Sequence, residues 1–249
     1  MSGTGATTSG DQLGPPPDRA RVPARGGWYV VFGLLGGIIS GTGLGLIARA
    51  VAPHQFLLRL VPGQFALWAC LIGACRAASH RYGTGRVARD FGLRARPADI
   101  GRGLLLSVLG RIVQTVVLIP ILLANRRLIA GNTQVLHDAH RHWFDYVVVA
   151  VFAGIGAPII EELFFRGLLL RVLEEAWGPV FAVIGQAVVF GLCHVNVLLG
   201  AGNVAVVVAI AAFGVVQGAA ALRYRRLGPG IWSHAFFNLV AVVVIAARG

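Results

Sequence analysis

Long apolar stretches, separated by arginine-rich segments, constrain most strongly what this chain can fold into. A helix of about 20 apolar residues crosses the ~30 Å hydrocarbon core of a bilayer, and a backbone in lipid must satisfy its hydrogen bonds internally. The sequence therefore predicts an all-α, polytopic helical membrane protein with about seven transmembrane helices. The predicted spans are residues 28–48, 57–75, 103–124, 143–173, 179–199, 204–222 and 229–247.

The composition agrees with this class and argues against a nucleic-acid partner. Of the 249 residues, 56% are hydrophobic and 13% are charged, as in polytopic membrane proteins. The net charge of +12 is not gathered on a basic face with interleaved aromatic residues, which nucleic-acid binding requires. The basic residues are all arginines and lie between the apolar stretches, so the expected surroundings are a lipid bilayer.

Three regions are predicted along the chain. Residues 1–25, rich in Gly, Ser, Thr, Pro and Arg, form a disordered polar tail; residues 26–142 form N-terminal membrane helices; residues 143–249 form the helical core with the candidate site. A cytoplasmic tail would place fifteen arginines on the inner side and six on the outer side. The positive-inside rule therefore predicts a cytoplasmic N-terminus, and the expected location is the cell membrane, which the chain crosses several times.

The first apolar stretch carries glycines at every fourth position: Gly33, Gly37, Gly41 and Gly45. Residues four apart lie on one face of a helix, and small residues at this spacing let a second helix approach closely. We expect this face to be a helix-packing surface.

Two adjacent carboxylates and an arginine interrupt the stretch 143–173: Glu161, Glu162 and Arg166. Ionisable groups at bilayer depth are costly and typically functional. Glu162 and Arg166 are spaced i, i+4 with the acid first, the favourable order for a helix ion pair. Because successive helical residues point about 100° apart, Glu161 is then free to face a cavity as a general base. The alternative is that Glu161 forms a second structural salt bridge.

Pro158 precedes Glu161 by three residues. It cannot donate a hydrogen bond to the carbonyl of Gly154, and its ring crowds that turn. We therefore expect the helix to break at Pro158.

Other polar groups follow in the same half of the chain. Phe190 and His194 are four residues apart, as are His234 and Asn238, so each pair shares a helix face and Phe190 could orient the imidazole. Singly, such groups often only hold helices together. His194 comes late in its predicted span, so the sequence does not place it at the same membrane depth as Glu161. For the two side chains to meet, this helix must start below the membrane, tilt or re-enter.

Two chemistries fit these residues. Glu161, His194 and His234 could bind zinc, which would activate water and polarise a carbonyl. Alternatively, Glu161 and His194 activate water directly, while His234 and Asn238 donate hydrogen bonds to a developing oxyanion. The second is favoured because a neutral amide is a good oxyanion donor and a poor zinc ligand, but whether a metal is bound stays open.

The motifs Glu161-Glu162-x-x-x-Arg166, Phe190-x-x-x-His194 and His234-x-x-x-Asn238 resemble those of the CAAX-processing and bacteriocin-processing (CPBP, or Abi) family of intramembrane proteases. The resemblance covers about residues 143–247. It implies an endopeptidase with Glu161 as base, His194 assisting, and His234 and Asn238 supporting the transition state. The family is commonly labelled metalloprotease. Eukaryotic members trim three C-terminal residues from prenylated CAAX proteins, and bacterial members are linked to peptide processing and bacteriocin self-immunity.

We therefore expect an intramembrane endopeptidase acting on a peptide or protein substrate at the membrane. The alternatives are a non-enzymatic immunity or partner protein that keeps the polar cluster for packing, and a transporter or proton relay. The relay is less supported because no internal repeat of the kind common in transporters is present. The sequence gives neither the substrate nor the oligomeric state.

Overall fold

A computed structural model describes residues 22–124, 143–195, 200 and 202–247 of the chain, and these residues form helices joined by short connections, with no strand among them. Between the first two long helices and the third lies one short helix, Val87–Asp90. The long helices are α1 (Gly27–Val51), α2 (Phe56–Tyr82), α3 (Ala98–Ala124), α4 (Trp143–Leu192), α5 (Asn203–Tyr224) and α6 (Gly228–Ala246).

The fold class predicted from the sequence is confirmed. Helices α1 to α5 are long and apolar enough to cross a membrane, and α6 contains a shorter apolar segment, Gly228–Val244. The 50-residue helix α4 is interrupted at Gly178, whose φ of 78° is non-helical. Counting its two arms separately, the described residues form seven apolar helical segments. The protein is an all-α, multi-pass membrane protein.

The helix ends differ from the predicted ones. α2 continues to Tyr82 and α3 begins at Ala98, because arginines at helix ends extend their charged groups to water and do not stop a helix. Most of the predicted tail (residues 1–21) and the segment 125–142 lie outside the described residues. The division of the chain near residue 142 stays a prediction.

The glycine face of α1 packs against α2, as expected. A Cβ atom on Gly33 would lie 2.7 Å from the Cβ of Ala74, and one on Gly41 would lie 3.0 Å from the carbonyl oxygen of Gly63. Both distances are at or below the limit for real contacts, so only glycine permits this separation of the two backbones. The two N-terminal helices therefore pack as a close pair.

The prediction of a helix break at Pro158 is wrong. Instead, α4 widens into a π-helix at Phe152–Gly156 and again at Glu162–Leu169. The Ala157 N–H bonds to the carbonyl of Phe152, five residues back. In that register the next carbonyl, that of Ala153, would need the N–H that proline lacks. Asn238 of α6 supplies the donor, with Nδ2 2.8 Å from this oxygen, so the wide turn absorbs the proline without a break.

The interruption at Gly178 folds α4 back on itself. A Cβ on Gly185 would lie 3.1 Å from Leu173 Cδ1, so the two arms of α4 pack side by side. Glu161 lies 17 residues before Gly178 and His194 lies 16 residues after it. At about 1.5 Å per residue, both are roughly 25 Å from the turn. The fold-back therefore explains how His194 reaches the depth of Glu161.

Helix α5 occupies the centre of the bundle. In its most apolar window 56% of residues are buried, against 11% for α3 and 17% for α1 and for α2. Its Phe213 belongs to a buried aromatic cluster with Phe164, Phe165, Phe190 and Phe237. The outer helices expose large apolar side chains, such as Phe32 and Leu105, as expected for surfaces covered by lipid.

One end of the bundle is tied together by polar contacts. The Leu227 N–H donates to the Gly92 carbonyl, and the Arg226 guanidinium bonds to Asp99 with Nη2 2.6 Å from Oδ1. Asp90 is buried there and accepts hydrogen bonds from the Ser79 hydroxyl and from Thr84. These contacts gather arginines that the sequence assigns to the cytoplasmic side, although the orientation itself stays a prediction.

Candidate active site

The predicted ion pair between Glu162 and Arg166 is present in the second π-helical segment of α4. The Nη1 and Oε1 atoms are 3.1 Å apart, and both side chains are almost wholly buried. The N–H directions do not meet hydrogen-bond geometry, so the contact is a charge pair. An unpaired charge here would be very costly, and the pair therefore anchors both side chains.

A glutamine that the sequence analysis did not single out also binds Glu162. Gln217 of α5 donates through Nε2 to the Gly230 carbonyl, at 2.8 Å, and lies 3.4 Å from Glu162 Oε1. Gly230 leaves room for this carboxylate, because a Cβ there would lie 2.9 Å from Glu162 Oε2. The signal in the sequence is that Gln217 is the one polar side chain in the predicted span 204–222. Glu162 is thus fixed by three helices.

His234 of α6 lies between the two adjacent glutamates. Its Nδ1 is 3.2 Å from Glu162 Oε1, and its Nε2 is 3.8 Å from Glu161 Oε2. An ionised carboxylate only accepts hydrogen bonds, so Nδ1 carries a proton and donates it to Glu162. Nε2 then faces Glu161 as an acceptor in the neutral ring, or as a second donor in the imidazolium.

Phe190 connects the second motif to the rest of the site. Its ring meets His194 edge-on at 4.9 Å between centroids and His234 edge-on at 5.8 Å, and the Arg166 guanidinium lies 4.3 Å from its centroid. His194 Nδ1 is also 2.8 Å from the Phe190 carbonyl oxygen. Because a carbonyl only accepts, Nδ1–H donates and Nε2 keeps its lone pair. Phe190 therefore orients both imidazoles.

Glu161 does not share the burial of Glu162. Its side chain is 17% exposed and lines a cavity of about 180 Å³ together with Asn238. Neither His194 nor His234 belongs to the cavity lining, although His234 Nε2 lies 3.8 Å from Glu161 Oε2. The other lining residues are Leu60, Gln64, Trp68, Val149, Phe152, Ala153 and Ala157.

The residues considered as zinc ligands do not form a metal site in this arrangement. Among the described residues, no group of three or more His, Cys, Asp or Glu side chains is placed to hold a metal ion. Glu161, His194 and His234 are therefore not grouped as a ligand set in the described part of the chain, although the Nδ1 bonds of the two histidines leave both Nε2 atoms free.

The arrangement combines a partly exposed carboxylate with fixed groups around it. Glu161 can accept a proton from a molecule in the cavity, and His234 and Asn238 lie beside it with potential N–H donors. Two features of the fold bring the three sequence motifs together. They are the fold-back of α4 at Gly178 and the hydrogen bond from Asn238 to the Ala153 carbonyl. Such a constellation suits general acid–base chemistry on a polarised carbonyl.

Comparisons with known proteins found a family model that matches part of the chain. Residues 143–240 match the family model described as Rce1-like, type II CAAX prenyl endopeptidase. This range contains every residue of the three motifs. No curated protein and no solved structure matches the chain.

Proposed function

We propose that this membrane protein is an intramembrane endopeptidase for CAAX-type peptides or proteins, because residues 143–240 match the family model described as Rce1-like, type II CAAX prenyl endopeptidase. Its substrate would be a membrane-associated chain with a prenylated cysteine near the C-terminus. One observation carries the proposal: Glu161 faces a cavity, whereas the adjacent Glu162 is locked in a buried ion pair.

Glu161 is the general base in this proposal. Its carboxylate takes a proton from a water molecule as the water oxygen attacks the carbonyl carbon of the scissile bond. The carbonyl π electrons move to oxygen and form a tetrahedral oxyanion. When the intermediate collapses, the C–N bond breaks and the leaving amine takes the proton back from Glu161. One water is consumed, and the carboxylate is restored.

His234 and Asn238 are the proposed donors to the oxyanion. With Nδ1 bonded to Glu162, the imidazolium form of His234 still has a second N–H, on the side of Glu161. Asn238 has two N–H groups on Nδ2, and one of them donates to the carbonyl oxygen of Ala153. Donors held in place before the reaction stabilise the developing charge without reorganising.

His194 is proposed to assist Glu161 in handling the attacking water, since Nδ1 donates to Phe190 and Nε2 keeps a lone pair. Glu162, Arg166 and Phe190 are positioning residues that hold the two imidazoles. The family match does not separate CAAX-type from bacteriocin-type processing, so the latter stays a prediction.

The test is a cleavage assay on the purified protein in liposomes. A farnesylated peptide ending in a CAAX sequence is added, and products are identified by mass spectrometry. We expect loss of the three C-terminal residues as one fragment. Intact peptide after prolonged incubation, with farnesylated and geranylgeranylated versions alike, would refute this substrate class.

A further inference from the structure

Helix α2 forms one wall of the cavity that holds Glu161, although it lies outside the segment that matches the protease family. Leu60, Gln64 and Trp68 line this wall. They are four residues apart, so a single face of α2 is turned towards the cavity. Whatever enters the cavity therefore contacts α2 as well as the catalytic helices.

Trp68 is the most firmly held residue of this wall. Its side chain is only 6% exposed, and its ring packs on Phe152 at 5.2 Å and edge-on against Phe65 at 5.8 Å. The six-membered part of the indole lies directly over Gly156, where any Cβ atom would overlap with it. Gly156 belongs to the first π-helical segment of α4. The indole is thus fixed against the segment that leads into the site.

The indole N–H of Trp68 is left without a partner. Nε1 is buried and has no hydrogen-bond acceptor among the described residues. An indole nitrogen can only donate, and a buried donor without an acceptor is destabilising. Phenylalanine would keep an aromatic ring at this position without this penalty. A tryptophan at this position is therefore explained if a hydrogen-bond acceptor reaches its indole N–H at some stage of the reaction.

We propose that Trp68 is a substrate-binding residue whose Nε1–H donates a hydrogen bond to a backbone carbonyl of the peptide in the cavity. This inference rests on the proposed function, because Glu161 and Asn238 line the same cavity. A peptide in extended form brings carbonyl oxygens at every residue, while the neighbouring Leu60, Val149 and Phe152 offer it apolar contacts. The N-terminal helices would then take part in substrate recognition.

The first experiment compares two tryptophan-to-phenylalanine variants in the cleavage assay. W68F removes the N–H and keeps an aromatic ring; W177F makes the same change at a 60% exposed residue near the fold-back. We expect kcat/KM to fall about fivefold to a hundredfold in W68F, mainly through a higher KM, and to stay within twofold in W177F. Equal kcat/KM for W68F and wild type would overturn the inference while leaving the proposed function intact.

The second experiment needs neither turnover nor a folded W68F. The protein is made as E161Q, with ¹⁵N-labelled indole groups, and placed in detergent micelles. The chain has five tryptophans, so Phe substitutions at the four others assign the Trp68 signal by elimination. Adding a prenylated CAAX peptide should move the Trp68 indole proton downfield.

The control for the second experiment is phospholipid, whose ester carbonyl is also an acceptor. A shift on addition of phospholipid alone, with no further shift on addition of peptide, would overturn the inference. So would an unmoved Trp68 signal when the peptide binds, as seen by anisotropy of a labelled peptide. Failure of the wild type to cleave any peptide would instead count against the proposed function.

Discussion

Replacing Arg166 by methionine tests the buried framework of the site most sharply. Both members of the Glu162–Arg166 pair are almost fully buried, so water cannot screen the carboxylate that the change leaves behind. Glu162 would keep His234 and Gln217 as partners for Oε1, while its Oε2 has no partner among the described residues. Breaking a buried pair from one side costs about 3–5 kcal/mol, against about 0–1 kcal/mol for a surface pair.

The assay is equilibrium unfolding in mixed micelles, followed by circular dichroism. We expect R166M to lose about 3–5 kcal/mol of unfolding free energy, a large share of the ~5–15 kcal/mol typical of a domain. The double variant E162Q/R166M removes both charges and should recover at least half of this loss. R223M, at an exposed arginine, is the matched control and should change stability by about 0.5 kcal/mol or less.

Two results would refute the reasoning. One is an R166M protein as stable as R223M, which would mean that Glu162 is solvated or protonated in the fold. The other is a double variant less stable than R166M, which would mean that packing by the arginine side chain, and not its charge, carries the stability.

Three further predictions concern the scaffold. G63A should lose about 1–3 kcal/mol of unfolding free energy, because the new Cβ would lie 2.7 Å from a backbone oxygen of α1 and force α1 and α2 apart. The control G73A should be near neutral, because a Cβ at Gly73 meets no described atom within 4 Å. N238L should lose about 1–3 kcal/mol of unfolding free energy, because the Ala153 carbonyl in the π-helix loses its hydrogen-bond donor. Adding P158A should restore part of this loss, because it returns a backbone N–H that can donate to the same carbonyl. Strictly additive losses in the double variant would contradict this explanation. Burial alone would raise the pKa of Asp90, but its hydrogen bonds lower the pKa below the ordinary value. The stability that Asp90 contributes is therefore present above pH ~4 and is lost as the pH falls through the lowered pKa. D90N should flatten that part of the curve of stability against pH, and an unchanged curve would contradict this prediction.

Much of the fold follows from local signals in the sequence. The lengths of apolar stretches indicate the spans, the fourfold glycine spacing indicates the contact of α1 with α2, and the i, i+4 spacing indicates the pair of Glu162 with Arg166. Each of these depends on residues close together in one helix. Hydropathy and helical periodicity are sufficient for such features.

The rest depends on contacts between distant segments. Pro158 signalled an irregular helix, but whether the helix breaks or widens is decided by Asn238, which caps the Ala153 carbonyl from another helix. Gly178 lies between the predicted spans 143–173 and 179–199, but only the packing of the two arms of α4 shows that the helix folds back on itself there. Gln217 and Trp68 reach the site from helices without a catalytic motif, so no spacing rule could have pointed to them.

The turnover of E161Q on a prenylated CAAX peptide tests the central claim most directly. The matched control is E175Q, at an exposed glutamate of the same helix, and unfolding curves of both variants show that they are folded. Loss of a general base predicts a kcat about 10²- to 10⁴-fold below wild type for E161Q and an unchanged kcat for E175Q. An E161Q enzyme that cleaves within a few-fold of wild type would contradict the account.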